Sequence, residues 1–364
     1  MTSKLIVVVG ATGTQGGSVV RTFSKIPGWE VRAITRKPDS EAARRLKNST
    51  PNITIYKADL DDVESLKAAF EGADAIFGVT DFWQFVPQYR GNTQEVWDQA
   101  KAQYSHGVPL DTSNAKATWN EVCYLREFQQ GKNIIDAAAH AVPGLETLVL
   151  SSLSDAQKAS NGKYTWVYHF DSKAHYVKYL KSKAESGESS YQLLLKKTSY
   201  LQMGYYLDNW KMNPFFTPKK GEDGTVLFRS FDPIDTGKAE HPTPFVHPPT
   251  DTGPFVEALV LKAAPGTVLL GTSGPMPFND YIKLWGQIQG FETNVQYVSS
   301  DQVVELWPDG FGLELAQTAS YVRDYGWDGG ERAILPEQAG VDLSALTDVT
   351  SYIKSTDWSS VLNN

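Results

Sequence analysis

The sequence predicts an α/β fold: a doubly wound parallel sheet of Rossmann type with a smaller C-terminal α/β lobe. Three observations predict it. An aliphatic run from Leu5 to Val9 stops at a glycine turn, as a strand buried on both faces of a parallel sheet does. Strand-length apolar runs then alternate with helical segments as far as Leu195, the order that right-handed βαβ crossovers require. The turn itself reads Gly10-Ala11-Thr12-Gly13-Thr14-Gln15-Gly16, placed between a strand and a helix. In that context a glycine motif points to dinucleotide binding and not merely to a tight turn.

Taken in order, the first strand is followed by a helix from about Gly13 to Lys25. Val31–Thr35, Ile53–Tyr56, Ala75–Val79, Thr147–Leu150 and Gln192–Leu195 read as further strands, and Val63–Phe70 and Val122–Ala141 as helices. Residues 82–119 break this rhythm, being rich in Gln, Asn, Tyr and Trp with Pro87 and Pro109. The segment lies just beyond a strand's carboxyl end and is expected to form a mobile cover over a substrate. Residues 1–203 thus make the dinucleotide-binding domain with an insertion at 82–119. Residues 204–364 consist of short runs broken at Gly221–Gly224, Pro242–Pro249 and Pro275–Pro277 and are expected to form mainly the smaller, substrate-binding lobe.

With 364 residues, 41% hydrophobic and 12% aromatic, the chain has ample material for a core and an aromatic-lined pocket. A net charge of −8 argues against direct nucleic-acid binding, and no basic run suggests a membrane surface. The single cysteine, Cys123, cannot form an internal disulfide, and the N-terminus enters a strand without a signal-like segment, so a cytoplasmic location is expected. No apolar stretch is long enough to span a bilayer. The expected partner is an apolar small molecule, with a homodimer left open.

In the turn, Gly10 permits the sharp bend, Gly13 lets the backbone approach a pyrophosphate, and Gly16 or Gly17 lets the helix pack on the strand. The second strand ends in Thr35-Arg36-Lys37 where an NAD-specific site would carry a carboxylate. Arg36 as a planar fork and Lys37 as a point charge favour the 2′-phosphate of NADP(H) over a plain solvated loop. Asp59-Leu60 follows the third strand, where Asp59 either accepts from the adenine amino group or caps the helix beginning near Asp62.

Conventional short-chain dehydrogenases place a tyrosine four residues before a lysine, so that both share one helix face and the cation lowers the phenol pKa. Here His169 stands four before Lys173, and Tyr168 is displaced by one. A helix starting with Asp171 as its N-cap would free Tyr168 and His169 to face a cleft. Lys173, Asp81, Tyr168 and His169 are therefore the catalytic candidates, against the plainer readings of an exposed lysine, a loop-capping aspartate and a packed histidine. Ser151-Ser152, after the fifth strand, could bond a substrate carbonyl or simply cap the following turn, with Ser152 a weaker candidate than those four. No metal-ligand spacing and no serine-hydrolase elbow is present in the sequence.

Gly10 to Gly17, Thr35-Arg36-Lys37-Pro38, Val79-Thr80-Asp81-Phe82-Trp83 and His169-Phe170-Asp171-Ser172-Lys173 together resemble the NmrA-like family of atypical short-chain dehydrogenases. The family includes NADPH sensors and fungal pathway enzymes. The resemblance implies that Gly10, Ala11, Thr12, Gly13, Thr14 and Gln15 hold the pyrophosphate and Arg36 the 2′-phosphate. It also implies that Thr80, Asp81 and Phe82 flank the ribose and nicotinamide, that Lys173 bonds the ribose, and that Tyr200 to Met203, Gln202 included, approach the nicotinamide end. Gln129 stands where the family's sensor has a lysine, and the 82–119 insertion is longer than the sensor's. Three readings follow: an NADP(H)-dependent reductase of an apolar aromatic carbonyl or imine in secondary metabolism, a cofactor-bound isomerase, or a regulator whose NADPH occupancy alters a protein-binding surface. The aromatic insertion favours the enzyme readings.

Overall fold

A computed structural model describes residues 3–106, 108, 117–213, 215–231 and 241–362. The first six strands are β1 (Lys4–Val8), β2 (Trp29–Thr35), β3 (Ile53–Lys57), β4 (Ala75–Gly78), β5 (Thr147–Ser152) and β6 (Thr198–Met203). A seventh, Val268–Gly271, pairs beside β6 and completes a wholly parallel sheet in the order Val268–Gly271, β6, β5, β4, β1, β2, β3. The order reverses between β1 and β4, so the carboxyl ends of these two strands diverge and leave a crevice there.

Two helical layers cover the sheet. Val7, Ile76, Leu148 and Leu150 face the helices Val63–Phe70, Trp119–Ala141 and Tyr168–Glu185, whose Phe70, Phe128 and Tyr176 fill that side. Ile6, Val8, Val149 and Leu201 face the other way, toward Thr14–Phe23 and Pro248–Leu261, with Val19, Phe23, Phe255 and Val256. Burial on both faces is why the strands read as continuous apolar runs. The Pro248–Leu261 helix and the seventh strand show the chain returning to the main sheet well past residue 203. The remainder of 204–362 adds two three-stranded sheets around a core of Phe245, Tyr281, Trp285 and Trp358.

Most expected elements are present, and one strand is misplaced. Gln192–Leu195 lies in a helix, Ser189–Lys196, and the strand is Thr198–Met203 just beyond it. A short apolar run has the same composition in either state, and here only Leu194 of the run is fully buried. The described part of 82–119 is helical, with Val86–Tyr89 and Gln94–Tyr104 packed on the Trp119–Ala141 helix. Arg126 binds this layer down: its guanidinium lies 4.9 Å from the Phe85 ring centroid and 4.6 Å from that of Tyr104, and donates to the Tyr89 hydroxyl at 3.1 Å. Pro109 lies outside the described residues.

The glycine turn sets a steric limit. A Cβ at Gly16 would lie 2.3 Å from the Gly10 carbonyl oxygen, whereas one at Gly17 would meet the movable Arg21 guanidinium at 3.2 Å. Gly16→Ala is therefore expected to lower unfolding stability by about 1–3 kcal/mol or more. Gly17→Ala should change it by less than about 1 kcal/mol. Urea unfolding of the two variants checks this, and equal stabilities would refute the packing role given to Gly16.

Candidate active site

At the crevice, Gly10 adopts φ +63, and the Gly13 amide donates to the Gly10 carbonyl at 2.8 Å. Gly13 is the N-cap of the Thr14–Phe23 helix, which has no side-chain cap and no acidic residue in its first turn. By contrast Ser40, Asp62 and Thr118 each cap their own helices. The first-turn amides of the glycine turn thus keep their positive potential for an external anion. Thr12, Gly13 and Thr14 are exposed there, and Ala11 is buried. Arg36 and Lys37, past the end of β2, are exposed and form no ion pair among the described residues. These features fit a dinucleotide with a further phosphate.

The end of β4 is organised around a buried carboxylate. Glu127, with no exposed surface, accepts from the Thr80 hydroxyl at 2.7 Å, from the Ser172 hydroxyl, and from the Lys173 ammonium. Next to this group Asp81 lies in the cleft, reached by solvent yet walled by protein on most sides. Burial raises its carboxyl above the ordinary aspartate value; Lys173 draws it down and Glu127 pushes it up. Its carboxylate also accepts from the Trp83 amide at 3.0 Å.

Across the cleft the Ser151 hydroxyl donates to Gln15 Oε1, and Gln15 Nε2 donates to the Tyr206 hydroxyl, both at 2.8 Å. Burial pushes the Tyr206 phenol up to about 12, so it remains a neutral hydroxyl. Ser152 and Gln202 lie opposite one another at the ends of β5 and β6. Gln202 donates to Glu331 at 3.3 Å, while its buried Oε1 has no partner.

His169 and Lys173 share one face of the Tyr168–Glu185 helix. The His169 ring lies 5.1 Å from that of Trp83, which is 38% exposed and forms an aromatic wall. Its Nδ1 lies 2.7 Å from Glu314 Oε1, in hydrogen-bond contact, and its backbone amide donates to the same oxygen at 3.1 Å.

The profile of the NmrA-like family matches residues 2–108 and 113–353. The chain belongs to the NmrA-like family. Similar members include the NmrA-like family domain-containing oxidoreductase FrzB of a Cladobotryum species, 26% identical over 354 residues, covering 94% of this chain and 89% of that protein. The corresponding oxidoreductase hkm9 of Aspergillus hancockii is 27% identical, covering 82% of this chain and 76% of that protein. Among solved structures, NmrA, a negative transcriptional regulator, in complex with NADP superposes with a TM-score of 0.65 at 19% identity, covering 98% of this chain and 96% of that one. The NADPH-dependent quinone oxidoreductase QOR2 of Escherichia coli superposes with a TM-score of 0.59 at 17% identity, covering 96% and 98%. At these identities the structural likeness bears on the fold.

Several side chains that the NmrA-like resemblance placed at the cofactor are engaged elsewhere. The Thr80 hydroxyl is committed to Glu127, and the Phe82 ring is wholly buried against Trp83. The Tyr200 ring packs in the sheet–helix core, 5.7 Å from the Lys181 ammonium, two turns along the helix from Lys173. Asp62 caps its own helix, and the Asp59 carboxylate accepts from the Asp61 amide, so the capping alternative for Asp59 is not the arrangement found. Leu60 packs on the core, and its carbonyl accepts from Asn133, which Gln129 in turn holds at 2.8 Å.

Two catalytic expectations are corrected. The helix begins at Tyr168, not after Asp171, because the Asp171 carboxylate turns back to accept from the Ala156 and Gln157 amides. Tyr168 then packs on Tyr124 and Trp166 instead of being freed toward the cleft, and burial raises its phenol above the ordinary tyrosine value. Asp155, Asp171 and His175 place one ligand atom each within 4.8 Å of one another. Each of these carboxylates already accepts backbone amides, and His175 Nδ1 is hydrogen-bonded to Tyr124 at 2.8 Å, so the group works as a capping network. Glu127, Tyr206 and Glu314 were not singled out in the sequence. No local spacing marks them, since each meets its partner only through the fold.

Lys173→Ala would leave the Glu127 charge buried without its cation. We expect a loss of about 3–5 kcal/mol of stability, with Glu127→Gln in the same chain restoring most of it. Denaturant unfolding reads both values. A single variant as stable as the parent would show that Glu127 does not need Lys173.

Proposed function

We propose that this NmrA-like protein is an NADP(H)-dependent oxidoreductase that reduces an apolar, aromatic carbonyl or imine of secondary metabolism. The observation that carries the reading is a set of cationic and amide donors at the strand ends, exposed and without an ion-pair or capping partner among the described residues. The uncapped turn at Gly10 to Gly16 suits the pyrophosphate, and Arg36 and Lys37 past β2 suit a 2′-phosphate. The oxidoreductase names carried by FrzB and hkm9, and the NADP and NADPH complexes of NmrA and QOR2, support it.

When bound, the cofactor supplies the hydride. The chain's own residues bind and orient. Lys173, fixed by Glu127, presents a positive charge beside Asp81 and would hold the nicotinamide ribose. Trp83 and the neighbouring rings exclude water and favour a flat apolar substrate. Asp81, held protonated to a higher pH than an ordinary aspartate, exchanges a proton at its carboxyl.

One observation favours a second reading. With His169 four residues before Lys173 and Tyr168 half-buried against Tyr124 and Trp166, the usual tyrosine–lysine pair is not assembled. Acid and base groups around a retained cofactor would also suit an isomerisation without net redox change.

Calorimetry is expected to find NADPH bound about ten to a hundredfold more tightly than NADH, and Arg36→Asp to abolish the difference. Equal affinities in the parent chain would overturn the assignment. Hydride transfer is tested by NADPH deuterated at its reactive carbon: label in the product supports reduction, and product formed without NADPH oxidation supports the isomerase.

A further inference from the structure

His169 stands on the helix where related dehydrogenases keep their proton-donating tyrosine, and a single carboxylate decides what its ring can do. Glu314 is fully buried on the helix Phe311–Tyr325 of the C-terminal part of the chain. Its Oε1 receives both the backbone amide and Nδ1 of His169, and its Oε2 accepts from Asn120 Nδ2 at 3.1 Å. Gly310, at φ +96, begins this helix, and the Asn120 amide also reaches its carbonyl at 3.5 Å. Gln317, one turn on, accepts from the Thr165 and Trp166 amides at 2.9 Å each, so two residues of one helix face hold the segment leading into His169.

A carboxylate at Nδ1 has a defined chemical consequence. It accepts a proton but offers none, so the neutral ring must carry its hydrogen on Nδ1 and leave the Nε2 lone pair bare. Nε2 makes no hydrogen bond among the described residues, and the ring lies beside the exposed indole of Trp83. The same negative charge stabilises the imidazolium that forms when Nε2 takes a proton, the division of labour seen in carboxylate-oriented catalytic histidines.

We propose that Glu314 is the positioning residue that fixes the tautomer of His169 and makes His169 Nε2 a second proton-transfer atom of the cleft, beside the Asp81 carboxyl. This rests on the reading of the cleft as the reaction site. As acid, the imidazolium gives its Nε2 hydrogen to the substrate oxygen or nitrogen as that atom gains the electron pair released by hydride addition. The Nε2–H electrons stay on the ring, and water returns the proton. As base, the same atom takes a proton from the substrate and the balance runs in reverse.

Glu314 also satisfies the first turn of a helix whose N-cap, Val167, has no capping side chain. The test must therefore separate orienting from capping. In ¹⁵N imidazole spectra, with His169→Gln to assign the signal, the parent chain is expected to show neutral His169 as the Nδ1–H form. The Nε2–H form would overturn the proposal. Glu314→Ala should move the ring mainly to Nε2–H, and an unchanged tautomer would refute the role of Glu314. Glu314→Gln keeps both acceptor bonds without the charge and serves where the alanine variant does not fold. It should keep the tautomer yet slow carbethoxylation of His169 Nε2 by diethyl pyrocarbonate at least about threefold, through loss of electrostatic support. An unchanged rate would reduce Glu314 to a capping residue. NADP⁺ should protect His169 from the reagent. If the tautomer and rate results hold but NADP⁺ gives no protection, the dyad stands and the reading of the cleft fails.

Discussion

The arrangement at the strand ends depends on one buried negative charge. A carboxylate with no access to water is tolerated only when its oxygens are saturated by donors and a cation lies close. Glu127 meets that requirement with Thr80 from the end of β4 and with Ser172 and Lys173 from the Tyr168–Glu185 helix. The requirement is geometric as well as electrostatic. It clamps two helices to a strand end and leaves the Lys173 ammonium at a fixed height beside Asp81. The position of Lys173 and the charge beside Asp81 thus have a single origin.

A second consequence concerns how the helix carrying His169 and Lys173 begins. Asp171, which has the right residue type to cap it, is drawn into the first turn and spends its carboxylate on the short helix Ala156–Ala159. Val167 offers nothing in its place. The missing acceptor comes from Glu314, so the nucleotide-binding half and the C-terminal helix meet at a point of mutual need. Trp119 and Asn120 add bonds to the backbone of residues 309 and 310 at the same junction.

The sequence made the main sheet legible because two signals coincided there: double-sided burial wrote continuous aliphatic runs, and Gly10, Gly13 and Gly16 occupied a turn whose sterics leave few alternatives. The Gln192–Leu195 run failed because a short apolar stretch carries no period long enough to separate strand from helix. Site residues divided along similar lines. Arg36 and Asp81 could be picked out as candidates from their places at strand ends, since in this fold strand ends are where ligands lie. Glu314 could not, as 145 positions separate it from His169. Tyr206 is equally hidden, 191 positions from Gln15. Tyr168 and His169, adjacent in sequence, are rotated by about 100° on the helix and so meet different neighbours, Tyr124 and Trp166 for the first and Trp83 for the second.

The seventh strand has a consequence for how the chain is made. Val268–Gly271 covers the outer edge of β6, whose six residues are all buried in the finished protein. A ribosome delivers β6 roughly seventy residues before that cover, which at about 5–20 residues per second is several seconds of synthesis. Throughout that interval the nascent sheet has a bare, apolar flank of the kind that recruits other strands. Safe production of the chain therefore depends on slow encounter with other nascent chains or on a chaperone holding β6, and a translational pause between the two strands would favour aggregation over assembly.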